Sequence, residues 1–180
     1  MINGKNLRLR AIERLDLPHF VTWLNDREVT QNLTHTSPMS MAQEEHWYEK
    51  ILEQPVEAQP LVIEAHVGTE WLLLGNVGLF DFNWHDRSAE VGIFIGDKRF
   101  WNHGYGSEAI RLMTRHALFD LGLNRVHLRV FETNPRAIHA YEKAGFVLEG
   151  RLRQAHWVDG KFVDVLVMSI IRSDWHEEEN

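Results

Sequence analysis

Two glycines one residue apart, Gly104 and Gly106, carry the first chemical signal in this chain. They lie in Trp101-Asn102-His103-Gly104-Tyr105-Gly106-Ser107-Glu108-Ala109, which opens directly into an amphipathic stretch. The residues just before it, 90–95, predict a strand. A strand, a glycine-rich loop and a helix start in that order expose several backbone N–H groups with no intrahelical partner. The helix dipole adds partial positive charge at the same point, so the segment can hold a phosphate-bearing ligand. Gly-x-Gly before a helix also serves simply to make a tight turn. The segment lacks the Gly-Lys-Ser/Thr ending of a P-loop, and the third glycine and following acidic residue of a dinucleotide fingerprint.

A second constellation is Asn134-Pro135-Arg136-Ala137-Ile138-His139-Ala140-Tyr141-Glu142-Lys143-Ala144-Gly145-Phe146. Asn134 and Tyr141 are seven apart, two helical turns, and share a face. An asparagine at a helix start can bridge a ligand amide, and a tyrosine further along can give a proton to a leaving group. The plainer reading is that Asn134 only caps the helix and Tyr141 is a half-buried aromatic.

The elements that must position these residues follow from patterning. Residues 7–11 alternate and predict a strand. Asp16 is placed to cap a helix over 17–25, and Ser40 with Gln43 forms a capping box for a helix to about residue 52. Three strands follow at 61–66, 71–79 and 89–95, an antiparallel meander with a turn at Gly68-Thr69 and a polar link over 83–87. A helix over 107–121 puts Ile110, Met113, Ala117 and Leu121 on one face, and Gly122 suits its left-handed C′ position. Residues 124–132 predict a strand. Asn134-Pro135 then opens a helix ending at Gly145. Strands over 146–158 and 162–171 are joined by the hairpin dipeptide Asp159-Gly160.

Composition bounds the function. The 180 residues suit one domain, residues 1–174, followed by an acidic tail over 175–180. A formal net charge of −7 argues against a general nucleic-acid binder and fits a cationic small substrate. With no cysteine there is no disulfide, thiol nucleophile or Cys-based zinc site. The eleven histidines are scattered without an HExxH pattern, so no metal is expected. The first residues lack a signal-peptide run and no apolar stretch approaches membrane-spanning length, which makes a cytoplasmic protein without membrane attachment the expectation.

Taken together, the two segments resemble the GCN5-related N-acetyltransferase (GNAT) superfamily. The loop is similar to its acetyl-CoA motif, commonly Gln/Arg-x-x-Gly-x-Gly/Ala, and Asn-x-x-Ala-Ile-x-x-Tyr-x-x-x-Gly-Phe is similar to its second motif at every position. Trp101-x-x-Gly-Tyr-Gly-x-Glu-Ala and Glu149-Gly150-Arg151-Leu152-Arg153 resemble the branch containing ribosomal-protein N-terminal and spermidine acetyltransferases. Trp101 departs from the pattern, standing where Gln or Arg is usual. The resemblance implies an α+β fold in three layers. Its mixed, mostly antiparallel sheet would have about seven strands flanked by about four helices, and would splay between the fourth and fifth predicted strands, 89–95 and 124–132.

It also implies an acetyl-CoA cosubstrate and an N-acetyltransferase. The diphosphate would lie on the amides of Asn102, His103, Gly104, Tyr105, Gly106 and Ser107. Phe94, Ile95 and Gly96 would pair with the pantetheine arm, and Asn134 would hydrogen-bond it. Tyr141 is the expected acid for the departing thiolate. The amine must lose a proton before attack, and Glu90 is the first base to consider. His85 and Asp86 in the link are alternatives. Some relatives carry a glutamate on the following strand, where this chain has Arg129. For the acceptor, Trp23, Asn25, Glu28, Phe80, Phe82, Trp84 and His85 are the wall residues to consider, since aromatics with carboxylates suit an amine. The acceptor expected first is a protein N-terminal amine. The alternatives are a small amine, such as a polyamine or amino sugar, and a non-catalytic acyl-CoA-binding module. The oligomeric state is left open, a homodimer being the assembly to look for.

Overall fold

The computed structural model describes residues 1–34 and 37–176. Its frame is one eight-stranded sheet, β1 (Ile2–Asn3), β2 (Leu7–Ala11), β3 (Leu61–Val67), β4 (Glu70–Asn83), β5 (Ser88–Ile95), β6 (Arg125–Phe131), β7 (Val147–Val158) and β8 (Lys161–Ile171). The spatial order is β1-β2-β3-β4-β5-β6-β8-β7. Neighbours are antiparallel except β5 and β6, which run parallel. That parallel step needs a crossover, supplied by α4 (Tyr105–Arg115). Helices α1 (Leu17–Leu24), α2 (Arg27–Thr30) and α3 (Met41–Leu52) lie between β2 and β3, and α5 (Pro135–Lys143) lies between β6 and β7.

Alternation along the strands sends side chains into two cores. Ala89 and Val91 of β5, with Val126, Leu128 and Val130 of β6, bury against Ala109, Ile110 and Met113 of α4 and Tyr141 of α5. Phe94 points to the opposite face, where Leu17 and Phe20 of α1 pack with Tyr48 of α3. The sheet is therefore the middle of three layers, as expected.

Local signals hold at most junctions. Ser40 Oγ accepts from the Gln43 amide at 3.2 Å while Gln43 Oε1 accepts from the Ser40 amide at 2.9 Å, so the capping box forms. Asn134 Oδ1 accepts from the Ala137 amide at 3.2 Å, with Pro135 as the first helical residue. Gly122 and Gly145 take the left-handed conformation, with φ of 73° and 97°.

Some expectations are corrected. β1 and α2 are additional; two and four residues are too short to display a period. Asp16 stands at the N-cap position of α1 but makes no cap bond. Its buried carboxylate instead reaches back to the Glu13 amide at 2.8 Å and accepts from both terminal nitrogens of Arg10, at 2.7 and 2.8 Å, because the helical turn already begins at Arg14 and Asp16 stands inside it. β4 continues to Asn83, since a bulge at Asp81 (φ 50°) restores pairing with Ser88. α4 begins at Tyr105 and passes into a π-helical turn, His116–Asp120. Trp175, assigned to the tail by sequence, packs its ring 6.1 Å from Phe119 under the Arg111 guanidinium. The rest of the expected 175–180 tail, residues 177–180, lies outside the described residues.

Candidate active site

The β5–β6 ladder is short. Its pairs are Ser88 with Arg125, Ala89 with Val126 and Glu90 with His127, where it ends. Beyond that rung Val91 to Ile95 pair with β4, and Leu128 to Phe131 pair with β8. The two strands therefore part at Glu90 and leave a fork open toward Ile95, between the fourth and fifth strands named from sequence.

The mouth of the fork meets the start of α4. Gly104 caps that helix with φ of 87°, a conformation that excludes most side chains. The first bond into the helix runs from the Glu108 amide to the Gly104 carbonyl, at 3.0 Å. The amides of Tyr105, Gly106 and Ser107 precede it and point out of the helix end. Glu108 fixes this end to the chain's first turn, its Oε1 accepting from the amides of Lys5 and Asn6 at 2.7 and 2.9 Å. A diphosphate fits this cluster of donors, and an extended arm fits the strand edge from Val91 to Ile95. Asn102, with φ of 65°, and His103 precede the cluster; the His103 ring takes a contact of 2.7 Å from Nδ1 to the Trp101 carbonyl oxygen.

The three residues expected to pair with the arm differ in what remains available. The Ile95 carbonyl accepts from the Trp101 indole N–H at 2.8 Å, and the Gly96 amide donates to the Leu74 carbonyl at 2.7 Å. Gly96 is also the seat of Trp23: a Cβ there would lie 2.0 Å from the indole. Phe94 is edge-on to both Phe20 and Trp23. Trp23 therefore closes the strand end and borders a cavity of about 610 Å³ with His19, Asp26, Trp71 and Lys98.

α5, on the sheet face that α4 covers, begins at its cap Asn134 and buries Tyr141 in the core beside β5 and β6. The Asn134 oxygen is engaged as the cap, which leaves its amide nitrogen as the donor for a ligand. Tyr141 is buried at 8 % exposure, and burial pushes its hydroxyl up to about 12. It therefore holds its proton across the physiological range.

At the base of the fork, on the face away from α4, sits Glu90. It is buried, and Arg129 binds both of its oxygens, Nε to Oε1 at 3.1 Å and Nη2 to Oε2 at 2.8 Å. This pair raises the guanidinium above its usual value. His127 Nε2 stands 3.7 Å from Glu90 Oε2, and its Nδ1 is buried without a hydrogen-bond partner among the described residues. Phe80, 41 % exposed, lies over Gly92, where a Cβ would come within 2.9 Å of its ring. Glu90, Arg129, His127 and Phe80 thus meet at the point where the strands part. Neither the Arg129 clamp nor the His127 contact was legible, because both depend on the β5–β6 register.

The remaining acceptor residues are dispersed. Phe82 and Trp84 stack at 5.1 Å, and His85 pairs with Asp86 at 2.8 Å. These four belong to the β4–β5 turn and its flank, at the closed end of the fork. Glu28 is exposed and binds Lys98 at 2.8 Å. Asn25 bridges the Val21 and Met39 carbonyls, each at 2.8 Å, and joins α1 to the segment before α3. Asn25 also lines a cleft of about 460 Å³ with Arg27, Gln31, His156, Trp157 and Asp159. That cleft separates α1–α2 from the β7–β8 hairpin, and the His156 ring stacks 3.9 Å from Phe131 at the open end of β6. Sequence patterning missed it because the hairpin reaches α2 only in the folded chain, where Arg27 binds Asp159 at 2.7 Å.

A forked sheet with helix-end amides at its mouth fits a long phosphate-bearing cosubstrate. The chain belongs to the GNAT acetyltransferases: the family model described as "Acetyltransferase (GNAT) domain" matches residues 6–147. It is an acyl-CoA-dependent N-acetyltransferase with acetyl-CoA as cosubstrate. Among similar curated proteins is a spermidine N(1)-acetyltransferase from Vibrio cholerae, 31 % identical over 172 residues, covering 96 % of each chain. A putative ribosomal N-acetyltransferase of Bacillus subtilis, YdaF, is 30 % identical over 117 residues, covering 65 % of this chain and 63 % of that one. The crystal structure of the Vibrio cholerae spermidine N-acetyltransferase with CoA and spermine superposes with a TM-score of 0.86 at 30 % identity, covering 95 % of this chain and 98 % of that one.

Proposed function

We propose that this enzyme acetylates a primary amine of a small molecule, with polyamines the class to assay first. The observation that carries the acetyl-CoA half is the fork that opens after the Glu90–His127 rung, with the Tyr105, Gly106 and Ser107 amides at its mouth. The acceptor half rests on the relatives. Similarity to a spermidine acetyltransferase spans nearly the full length, whereas the similarity to the putative ribosomal enzyme spans about two thirds of the chain. This moves the reading from the protein N-terminus, expected first from sequence, to the small-amine alternative.

In this reading acetyl-CoA supplies an activated thioester, and the chain's residues do the rest. The α4 amides hold the diphosphate and Asn134 orients the arm. Glu90 serves as base for the incoming ammonium through a bridging water, because Arg129 occupies both its oxygens directly. Arg129 and His127 set the orientation of that carboxylate. Tyr141 donates its hydroxyl proton toward the departing sulfur. The amine approaches through the cleft between α1–α2 and the β7–β8 hairpin, where exposed Trp157 offers a cation–π face.

The test is coenzyme A release from acetyl-CoA with spermidine, spermine, amino sugars and Ala- or Ser-starting peptides. Turnover with a polyamine well above that with peptides is the expected result. Faster turnover with peptides would return the acceptor to the protein N-terminus.

A further inference from the structure

We infer that Arg136, seated on the face of Trp101, is a ligand for the coenzyme A diphosphate. The guanidinium lies 3.7 Å from the centre of the Trp101 ring. The ring itself is fixed, because its indole N–H donates to the Ile95 carbonyl at the end of β5. The stack therefore ties the second residue of α5 to the loop that leads into α4, across the mouth of the fork.

Three features make this an unusual place to keep a cation. Arg136 occupies the first turn of α5, where the helix dipole disfavours positive charge. Among the described residues no carboxylate lies within ion-pair distance of it. Glu28 is near enough to be felt electrostatically, but its Oε2 is bound to Lys98 at 2.8 Å. The protein around the guanidinium also removes enough water to lower its pKa, although the side chain stays accessible to a ligand. An anion at this point would relieve all three. The loop from Trp101 to Ser107 contains no lysine or arginine, so its own contribution to a diphosphate is backbone dipoles and His103. Arg136 brings the missing full charge from another element, and a planar guanidinium can bind two phosphate oxygens at once. Trp101 acts as the platform that aims it.

The inference rests on the assignment of the Tyr105–Ser107 amides to the diphosphate, and the experiment separates the two. Coenzyme A, 3′-dephospho-coenzyme A and pantetheine are titrated calorimetrically into the wild-type chain and into Arg136→Met, Arg136→Lys and Trp101→Leu, with kcat/KM for S-acetylpantetheine as the phosphate-free activity. The expected result is about a tenfold or greater loss of affinity for both nucleotide-bearing ligands in Arg136→Met, with the S-acetylpantetheine rate unchanged. Arg136→Lys falls between. Trp101→Leu combined with Arg136→Met loses no more than Arg136→Met alone, since the platform acts through the cation. Failure of the wild-type chain to bind coenzyme A at all would remove the loop assignment itself. With wild-type binding intact, an unchanged affinity in Arg136→Met, or a loss confined to coenzyme A and absent with the dephospho form, overturns the inference. An equal loss with S-acetylpantetheine would mark a purely structural role and overturn it as well. Thermal melts of each variant confirm that a folded chain is being titrated.

Discussion

At the residue scale the site is a matter of which polar groups are already engaged. Tyr141 has its hydroxyl pushed up to about 12 by burial, so it stays protonated at any pH where the enzyme works. It is suited to donate toward a sulfur that gains charge as the thioester breaks. Tyr141→Phe is expected to lower kcat about 10²-fold, the lower end of general-acid effects, with KM for acetyl-CoA nearly unchanged. Because the group titrates near 12, the wild-type rate should show no falling limb from it between pH 7 and 9. Steady-state kinetics over that range check both statements, and wild-type kcat in the variant removes the acid role. Glu90 differs, being bound by Arg129 through both oxygens. Glu90→Gln is expected to reduce kcat with little change in acetyl-CoA affinity. A matching loss of affinity would assign Glu90 to the architecture of the fork instead. The types and positions of Asn134, Tyr141 and Glu90 were visible in the sequence. The partners of Glu90 were not, because Arg129 and His127 reach it only through the parallel β5–β6 register.

At the element scale, the short helices and the strand ends position the site. α1 and α3 pack over the sheet face that carries Phe94, and α3 buries Glu44 at 2 % exposure. Burial raises the Glu44 carboxyl to about 7 from an ordinary value of 4.5. The folded chain thus holds this proton more tightly than the unfolded one. The charged form becomes a cost as pH climbs from 4.5 to 7, and the cost is full above 7. Glu44→Gln removes it, so the variant should melt higher than wild type at pH 8, and the gain should shrink toward pH 5. Calorimetric or fluorescence melts at the two pH values measure this, at about 2–4 °C per kcal/mol for a chain of this size. Equal gains at both pH values would mean that the buried charge is not the cause. Patterning located α3 and its capping box, since Ser40 and Gln43 lie three apart. It could not locate α2, whose single turn is held by the Asp26 cap and by tertiary contacts. The role of Asp16 was misread for a related reason: the turn begins at Arg14, so its carboxylate bonds back to the Glu13 amide and to Arg10, which β2 brings beside it.

At the scale of the whole molecule, one sheet separates two sets of helices and divides the work between its faces. α4 and α5 cover one face, with the helix-end amides at the start of α4 and Tyr141 packed in the core between α5 and the sheet. The other face carries Glu90, Phe80 and the cleft beneath α1–α2. The parallel step from β5 to β6 makes the fork, because both strands keep their antiparallel partners, β4 and β8, after they separate. The sequence by itself determined the strand–loop–helix order around Gly104, the Asn134-to-Tyr141 spacing and a helix start fit for a phosphate-bearing ligand, because glycine conformation, capping and helical period act over a few residues; acetyl-CoA as that ligand was implied by the family resemblance of the two segments. Only the tertiary structure decided that the ladder stops at Glu90, that Arg129 clamps that carboxylate, that Arg136 rests on Trp101, and that the β7–β8 hairpin faces α2. Each of these joins residues far apart in the chain, and strand register and helix packing set their distances.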